Sequence, residues 1–171
     1  GKTAHDGTCI PPSCPSYTNG KVGKAATFTK AESDVITITD NVPSTDDLSF
    51  GNGLTNYPFT IIFWMKPTNP LPLNLGIIRK GVTSNWEYNI YSNSPSNLYW
   101  SLYTTTGIFI YSSPTFQSTF DTNWNNFAIV SSGGLTGGSV TTYKNSFQID
   151  SKTTTNYMGN GNANLEIGKG G

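Results

Sequence analysis

The sequence is punctuated too often to build long helices. Asn19-Gly20, Asn52-Gly53 and Asn160-Gly161 are turn signals, because both residue types tolerate positive φ. Clusters of Pro, Ser and Gly add further breaks. The runs between them alternate or are wholly apolar, and none sustains a 3.6-residue apolar period. The pattern predicts strands near residues 25–29, 34–39, 58–66, 75–80, 86–91, 97–103, 107–111, 124–131, 139–144, 146–150 and 163–168. Residues 45–50 offer one short helical turn. Many short strands at roughly 8–12-residue spacing predict an all-β antiparallel sandwich or barrel. The 171 residues match one domain, and no linker or tandem repeat divides residues 1–171.

Side-chain parity then assigns faces. Side chains alternate across a strand, and the more apolar set takes the interior. Leu98, Trp100 and Leu102 go inward, leaving Tyr99, Ser101 and Tyr103 on the opposite face. Likewise Trp86, Tyr88 and Ile90 go inward and Glu87, Asn89 and Tyr91 outward. Residues 59–65 carry apolar side chains on both faces, which predicts a central strand covered on both sides. All four tryptophans, Trp64, Trp86, Trp100 and Trp124, read as core.

Charge excludes some partners. Charged residues are 12% of the chain, and ten Lys+Arg balance ten Asp+Glu. A nucleic-acid binder needs excess cations to displace phosphate counterions, and a polybasic membrane-surface protein needs them too. No apolar run is long enough to span a membrane as a helix. Cys9 and Cys14 bracket Ile-Pro-Pro-Ser, a stiff loop whose ends can meet. A disulfide is the expected state, with free thiols or a metal pair as the other readings. With low charge and abundant Thr and Asn, this points to an extracellular, cell-surface or virion-surface setting.

Six segments resemble one family in the expected order. They are Gly20-Lys21-Val22-Gly23-Lys24-Ala25-Ala26-Thr27-Phe28, Phe59-Thr60-Ile61-Ile62-Phe63-Trp64-Met65-Lys66-Pro67, Ile77-Ile78-Arg79-Lys80-Gly81, Trp124-Asn125-Asn126-Phe127-Ala128-Ile129-Val130, Thr142-Tyr143-Lys144-Asn145-Ser146 and Leu165-Glu166-Ile167-Gly168. They are similar to strands of laminin-G-like, concanavalin A-like jelly rolls, with Ser146 where the family has Gly. The resemblance implies two curved antiparallel sheets, with sugar or protein ligands held on the concave sheet or rim loops. Family members also carry a first strand before Thr3 and a last one after Gly171. Neither is read here, so strand pairing with another chain or a missing segment is an expectation.

The same fold carries laminarinase-type β-glucanases, whose Glu-x-Asp-x-x-Glu strand places three carboxylates on one face. Here Glu32-Ser33-Asp34-Val35-Ile36-Thr37 has Thr37 in the third place, which cannot protonate a leaving oxygen. The segment reads as a solvated turn. His5 is the one histidine, so a Ser-His-Asp triad would depend on a Gly/Pro-flanked terminal segment. Gly133–Gly138 opens no helix as a phosphate loop would, and reads as a flexible hairpin loop between strands 124–131 and 139–144. The sequence demands no cofactor. Family members often bind Ca²⁺ on rim loops, and Asp34, Asp40, Asn41, Asp46 and Asp47 are the clustered oxygen donors, with helix capping by Asp46 or Asp47 as the competing role.

The remaining constellation is the outward set Glu87, Asn89, Tyr91, Tyr99, Ser101 and Tyr103. Tyrosine rings stack on sugar faces while Asn, Glu and Ser bond hydroxyls. The expectation is a non-catalytic, extracellular carbohydrate-binding or adhesion module. The alternatives are a structural surface or virion decoration protein that binds other chains, and a divergent or inactive glycosidase.

Overall fold

The computed structural model describes residues 5–40, 48–68, 74–82, 85–94, 97–104, 107–111, 122–134, 138–153, 157–159 and 161–169. Within them lie strands β1 (Gly7–Thr8), β2 (Ser16–Asn19), β3 (Lys24–Thr27), β4 (Ile36–Ile38), β5 (Phe59–Met65), β6 (Gly76–Val82), β7 (Asn85–Ser94), β8 (Asn97–Thr104), β9 (Gly107–Tyr111), β10 (Asn125–Ser131), β11 (Ser139–Lys144), β12 (Phe147–Thr153) and β13 (Leu165–Ile167). The order β1-β4-β13-β6-β7-β8-β9 makes a seven-stranded sheet and β12-β11-β10-β5 a four-stranded one, with β2 and β3 paired separately. The strand pairs are antiparallel. The fold is an all-β jelly-roll sandwich. Among the described residues no helix is long and apolar enough to cross a membrane.

The core lies between the two sheets. Tyr88, Ile90, Leu98, Trp100 and Leu102 of the large sheet meet Phe59, Phe127, Ile129 and Val140 of the small one, all fully or nearly fully buried. Aromatic rings organise the contact. Phe50 stacks on Phe59 at 4.1 Å and on Tyr88 at 4.9 Å, bridging the sheets, and Phe63 stacks on Phe127 at 5.5 Å. Such pairs contribute about 0.5–1.5 kcal/mol beyond their burial.

Two expectations need correction here. Strand β5 is not covered on both faces. Phe59, Ile61, Phe63 and Met65 turn inward, whereas Ile62 is 64% exposed and Trp64 44% exposed. It is the end strand of the described four-stranded sheet. An apolar outward set gives the same sequence pattern as a doubly buried strand, so periodicity does not separate the two. Trp64 is therefore not core; the Lys21 ammonium sits 5.7 Å from its ring centre. The helical turn expected at 45–50 falls partly outside the described residues, and 48–50 are not helical. A 3-10 turn instead occupies Lys30–Glu32 and ends at Ser33 with φ 56°. Asp34 completes that turn by accepting the Thr29 N–H at 2.7 Å.

Cys9 and Cys14 form a disulfide, pinning the loop between β1 and β2. The parity of β5 and β10 makes an energetic prediction. Phe127→Ala removes a ring from the centre of the core and should cost about 3–5 kcal/mol in urea unfolding. Ile62→Thr on the outward face should stay within about 0.5 kcal/mol of wild type.

Candidate functional site

The seven-stranded sheet has one face in the core and one turned away from it. Strand register builds the second face. Cross-strand partners run Thr37, Glu166, Arg79, Asn89 and Ser101 over β4, β13, β6, β7 and β8, so these five share a side. The neighbouring partners Lys80, Tyr88 and Leu102 face the core. Tyr91 and Tyr99 are partners two residues further along, and their rings stack at 5.7 Å.

A bulge decides what stands at the other end of this row. Lys80 pairs with Tyr88, but Gly81 pairs with Trp86, so Glu87 is one residue too many on β7. Gly81 accommodates the mismatch with φ 123°, a region that glycine enters readily. The extra residue turns Glu87 into the core and Trp86 out of it. Glu87 is 5% exposed and accepts hydrogen bonds from Lys80 and, at 2.9 Å, from the Gly161 N–H. Trp86 is half-buried beneath the Arg79 guanidinium, 5.0 Å from its ring centre. Both assignments differ from strict alternation, which places Glu87 on the binding face and Trp86 inside.

The remaining five expected residues do share the outer face. Asn89, Tyr91, Tyr99 and Tyr103 are half-buried, and Ser101 is 2% exposed. Asn89 and Ser101 form a polar floor beside the stacked Tyr91 and Tyr99 rings, with Tyr103 two residues from Ser101 on the same face of β8. Along a strand four residues span ~13 Å, so the rings at Tyr99 and Tyr103 are separated by about two sugar units. The buried Asn89 Oδ1 and Ser101 Oγ make no hydrogen bond with the described residues. Buried polar atoms are otherwise nearly always paired, so these two have hydrogen-bonding capacity that the described residues do not use. Burial, with the nearby Tyr103 and Tyr99 phenols, pushes the Tyr91 pKa upward and keeps that hydroxyl a neutral donor.

Sequence reasoning missed Arg79, Glu166 and Trp86. Arg79 Nε bonds Glu166 Oε2 at 3.0 Å, and Lys169 Nζ reaches Glu166 Oε1 at 2.6 Å. This network closes the row at the β13 side. Alternation in Ile77-Ile78-Arg79-Lys80 separates Arg79 from Lys80, but not which of them faces inward. Gly81 was the available signal for the bulge, since glycine in a strand often marks one.

Two of the candidate calcium donors lie among the described residues, and each has another role. Asp34 is 1% exposed and is taken up by the Thr29 N–H, and the Asp40 carboxylate faces the Lys80 ammonium at 2.8 Å. Asn41, Asp46 and Asp47 lie outside the described residues. Among the described residues no three of His, Cys, Asp and Glu group to hold a metal. Glu32 sits exposed on the 3-10 turn, away from any strand.

No protein-family model matches the chain, and no curated protein matches it. Solved structures do. Domain 4 of AbnA, a GH43 extracellular arabinanase from Geobacillus stearothermophilus solved in complex with arabinotriose, aligns with TM-score 0.59 and 19% identity over 91% of this chain and 66% of that one. An endo-β-1,4-glucuronan lyase from the fungus Trichoderma reesei aligns with TM-score 0.57 and 9% identity, covering 96% and 78%. The chain thus spans just under two thirds of the arabinanase domain. At these identities the likeness shows a shared β-sandwich fold.

Glu87 supplies a test of the bulge. Burial is the largest influence on its carboxyl and raises its pKa, against the lowering effect of the Lys80 and Ser49 hydrogen bonds. A raised pKa means that the folded state holds the proton more tightly than the unfolded chain, so this group's contribution weakens as pH rises through the folded value. Glu87→Gln removes that dependence. Its stability relative to wild type should therefore climb as pH rises from the ordinary glutamate range toward neutrality, as urea unfolding at several pH values will read.

Proposed function

We propose that this chain is a non-catalytic, extracellular carbohydrate-binding module of the laminin-G-like type, holding an oligosaccharide on the outer face of its seven-stranded sheet. One observation carries the reading: Asn89 Oδ1 and Ser101 Oγ, without a hydrogen bond among the described residues, share a face with the stacked Tyr91 and Tyr99 rings. Sugar rings present an apolar face and an equatorial rim of hydroxyls. The first suits the tyrosine and tryptophan surfaces, the second suits the amide and hydroxyl beside them. Arg79, held by Glu166 and Trp86, adds fixed donors at the rim. The neighbour crystallised with arabinotriose supports the same ligand class.

The non-catalytic part rests on Glu32, Asp34 and Thr37. Glu32 lies on a turn and Asp34 is buried as a backbone acceptor, so they do not form a pair of carboxylates flanking a glycosidic bond. No metal enters the reading. A second reading, adhesion to another protein chain, is favoured by the outward Ile62 and Trp64 on the opposite sheet.

Calorimetric titration with arabino-, gluco- and glucuronan oligosaccharides tests this. Tyr91→Ala and Tyr99→Ala should each weaken binding about five- to tenfold, equivalent to roughly 1–1.4 kcal/mol for a lost stacking ring. Ile62→Ser should leave it unchanged. With a net charge of zero, binding should barely respond to salt. Loss of sugar binding in Ile62→Ser, with the tyrosine variants unaffected, would move the ligand to the other sheet. Hydrolysis that disappears in Glu32→Gln would sink the non-catalytic reading.

A further inference from the structure

Behind the proposed binding face, on the core side of the same sheet, a lysine is buried among oxygens. Lys80 has no exposed side-chain surface, and its Nζ donates to Glu87 Oε1, to Ser49 Oγ at 2.9 Å and to Gly161 O at 2.6 Å. A fourth oxygen, Asp40 Oδ2, lies 2.8 Å from the same nitrogen, with its side chain 2% exposed. It does not meet hydrogen-bond geometry. The Asp40 carboxyl therefore lies against the nitrogen without the geometry of a hydrogen bond.

As ions, these groups bury two carboxylates against one ammonium. Desolvation makes that arrangement costly, a cost that a neutral amide would not carry. The strand partners of Lys80 are Leu165 and Tyr88, both in the apolar core. Water has little access there.

We propose that Lys80 and Asp40 condense to an intramolecular amide, a covalent cross-link between Nζ and Cγ, with Glu87 relaying the proton. The Lys80 nitrogen attacks Cγ of the Asp40 carboxyl group, forming the Nζ–Cγ bond, and the sum is amine plus carboxylic acid to amide plus water. The Glu87 carboxylate takes the proton released by nitrogen and delivers it to the departing hydroxyl. One Cγ–O bond breaks and one water leaves. Nothing is oxidised or reduced, and Glu87 ends as it began. The fold supplies the positioning that makes such a reaction effectively unimolecular, and the apolar surroundings disfavour the return of water. The burial that raises the Glu87 pKa suits a group that must hold and release a proton. The link would tie β6 to the chain leaving β4 across the intervening β13.

Intact mass spectrometry of the purified chain, denatured and reduced, decides this without any variant. The expected mass is lighter than that of the sequence by one water, and digestion should yield a branched peptide joining Asp40 to Lys80. Asp40→Ala and Glu87→Gln should both return to their full sequence masses. A wild-type chain at full mass overturns the proposal. So does a branch from Lys80 to Glu87, or a lightened mass that persists in Asp40→Ala.

Discussion

The bulge at Glu87 is the constraint on which the geometry of both sheet faces depends. Before it, from Tyr88 through Ile90, β7 follows plain alternation with apolar residues inward. Past it, toward Trp86, inward and outward exchange. One additional residue thereby gives the core a carboxylate for Lys80 and gives the outer face an indole for Arg79. Without it, strict pairing would bury Trp86 and set Glu87 in solvent. Lys80 would then face the apolar core without that counter-ion, with the Asp40 carboxylate still beside it. Leaving a buried charge without its partner costs about 3–5 kcal/mol, a large part of a typical domain's stability.

The sandwich around this feature is aromatic rather than aliphatic in its key contacts. Phe50 touches both Phe59 and Tyr88, so a residue between strands bridges the two sheets. The Tyr88 hydroxyl, an otherwise awkward polar group in the core, donates to Leu48 O at 3.0 Å. That bond fixes the segment on which Phe50 and Ser49 sit. Ser49 in turn accepts from Lys80. The apolar stack and the buried ionic cluster are therefore held by the same short stretch, residues 48–50, and neither can shift alone.

Much of the architecture was legible because it depends on alternation and turns. The strands from β3 to β13 lie where apolar and alternating runs placed them, and Leu98, Trp100 and Leu102 face inward as their parity demands. Strands β1 and β2 escaped notice for a physical reason: their side chains are exposed, so no apolar pattern marks them. The outward turn of Trp64 was illegible because a tryptophan on a sheet's outer face carries the same local pattern as one in its core. Five of six outer-face residues were legible from parity. Glu87, Trp86 and the partnership of Arg79 with Glu166 were not, because a bulge and a cross-strand register are properties of two strands together. A single sequence run shows only one of them.

The two faces of the large sheet are mechanically joined. Arg79 and Lys80 are consecutive, as are Trp86 and Glu87, and in each pair one side chain goes to the outer face and the other to the core. The core members are held by short bonds to each other, to Ser49 and to Gly161. Their backbone is thereby fixed, and with it the direction in which Arg79 and Trp86 leave the sheet. A rigid platform matters for a ligand bound by stacking, because each ring ordered in advance spares the complex that entropy cost. A buried ionic cluster is weak as a source of stability but strong as a determinant of geometry. In this chain the geometry it determines is that of the face on which Asn89 and Ser101 lie unpaired.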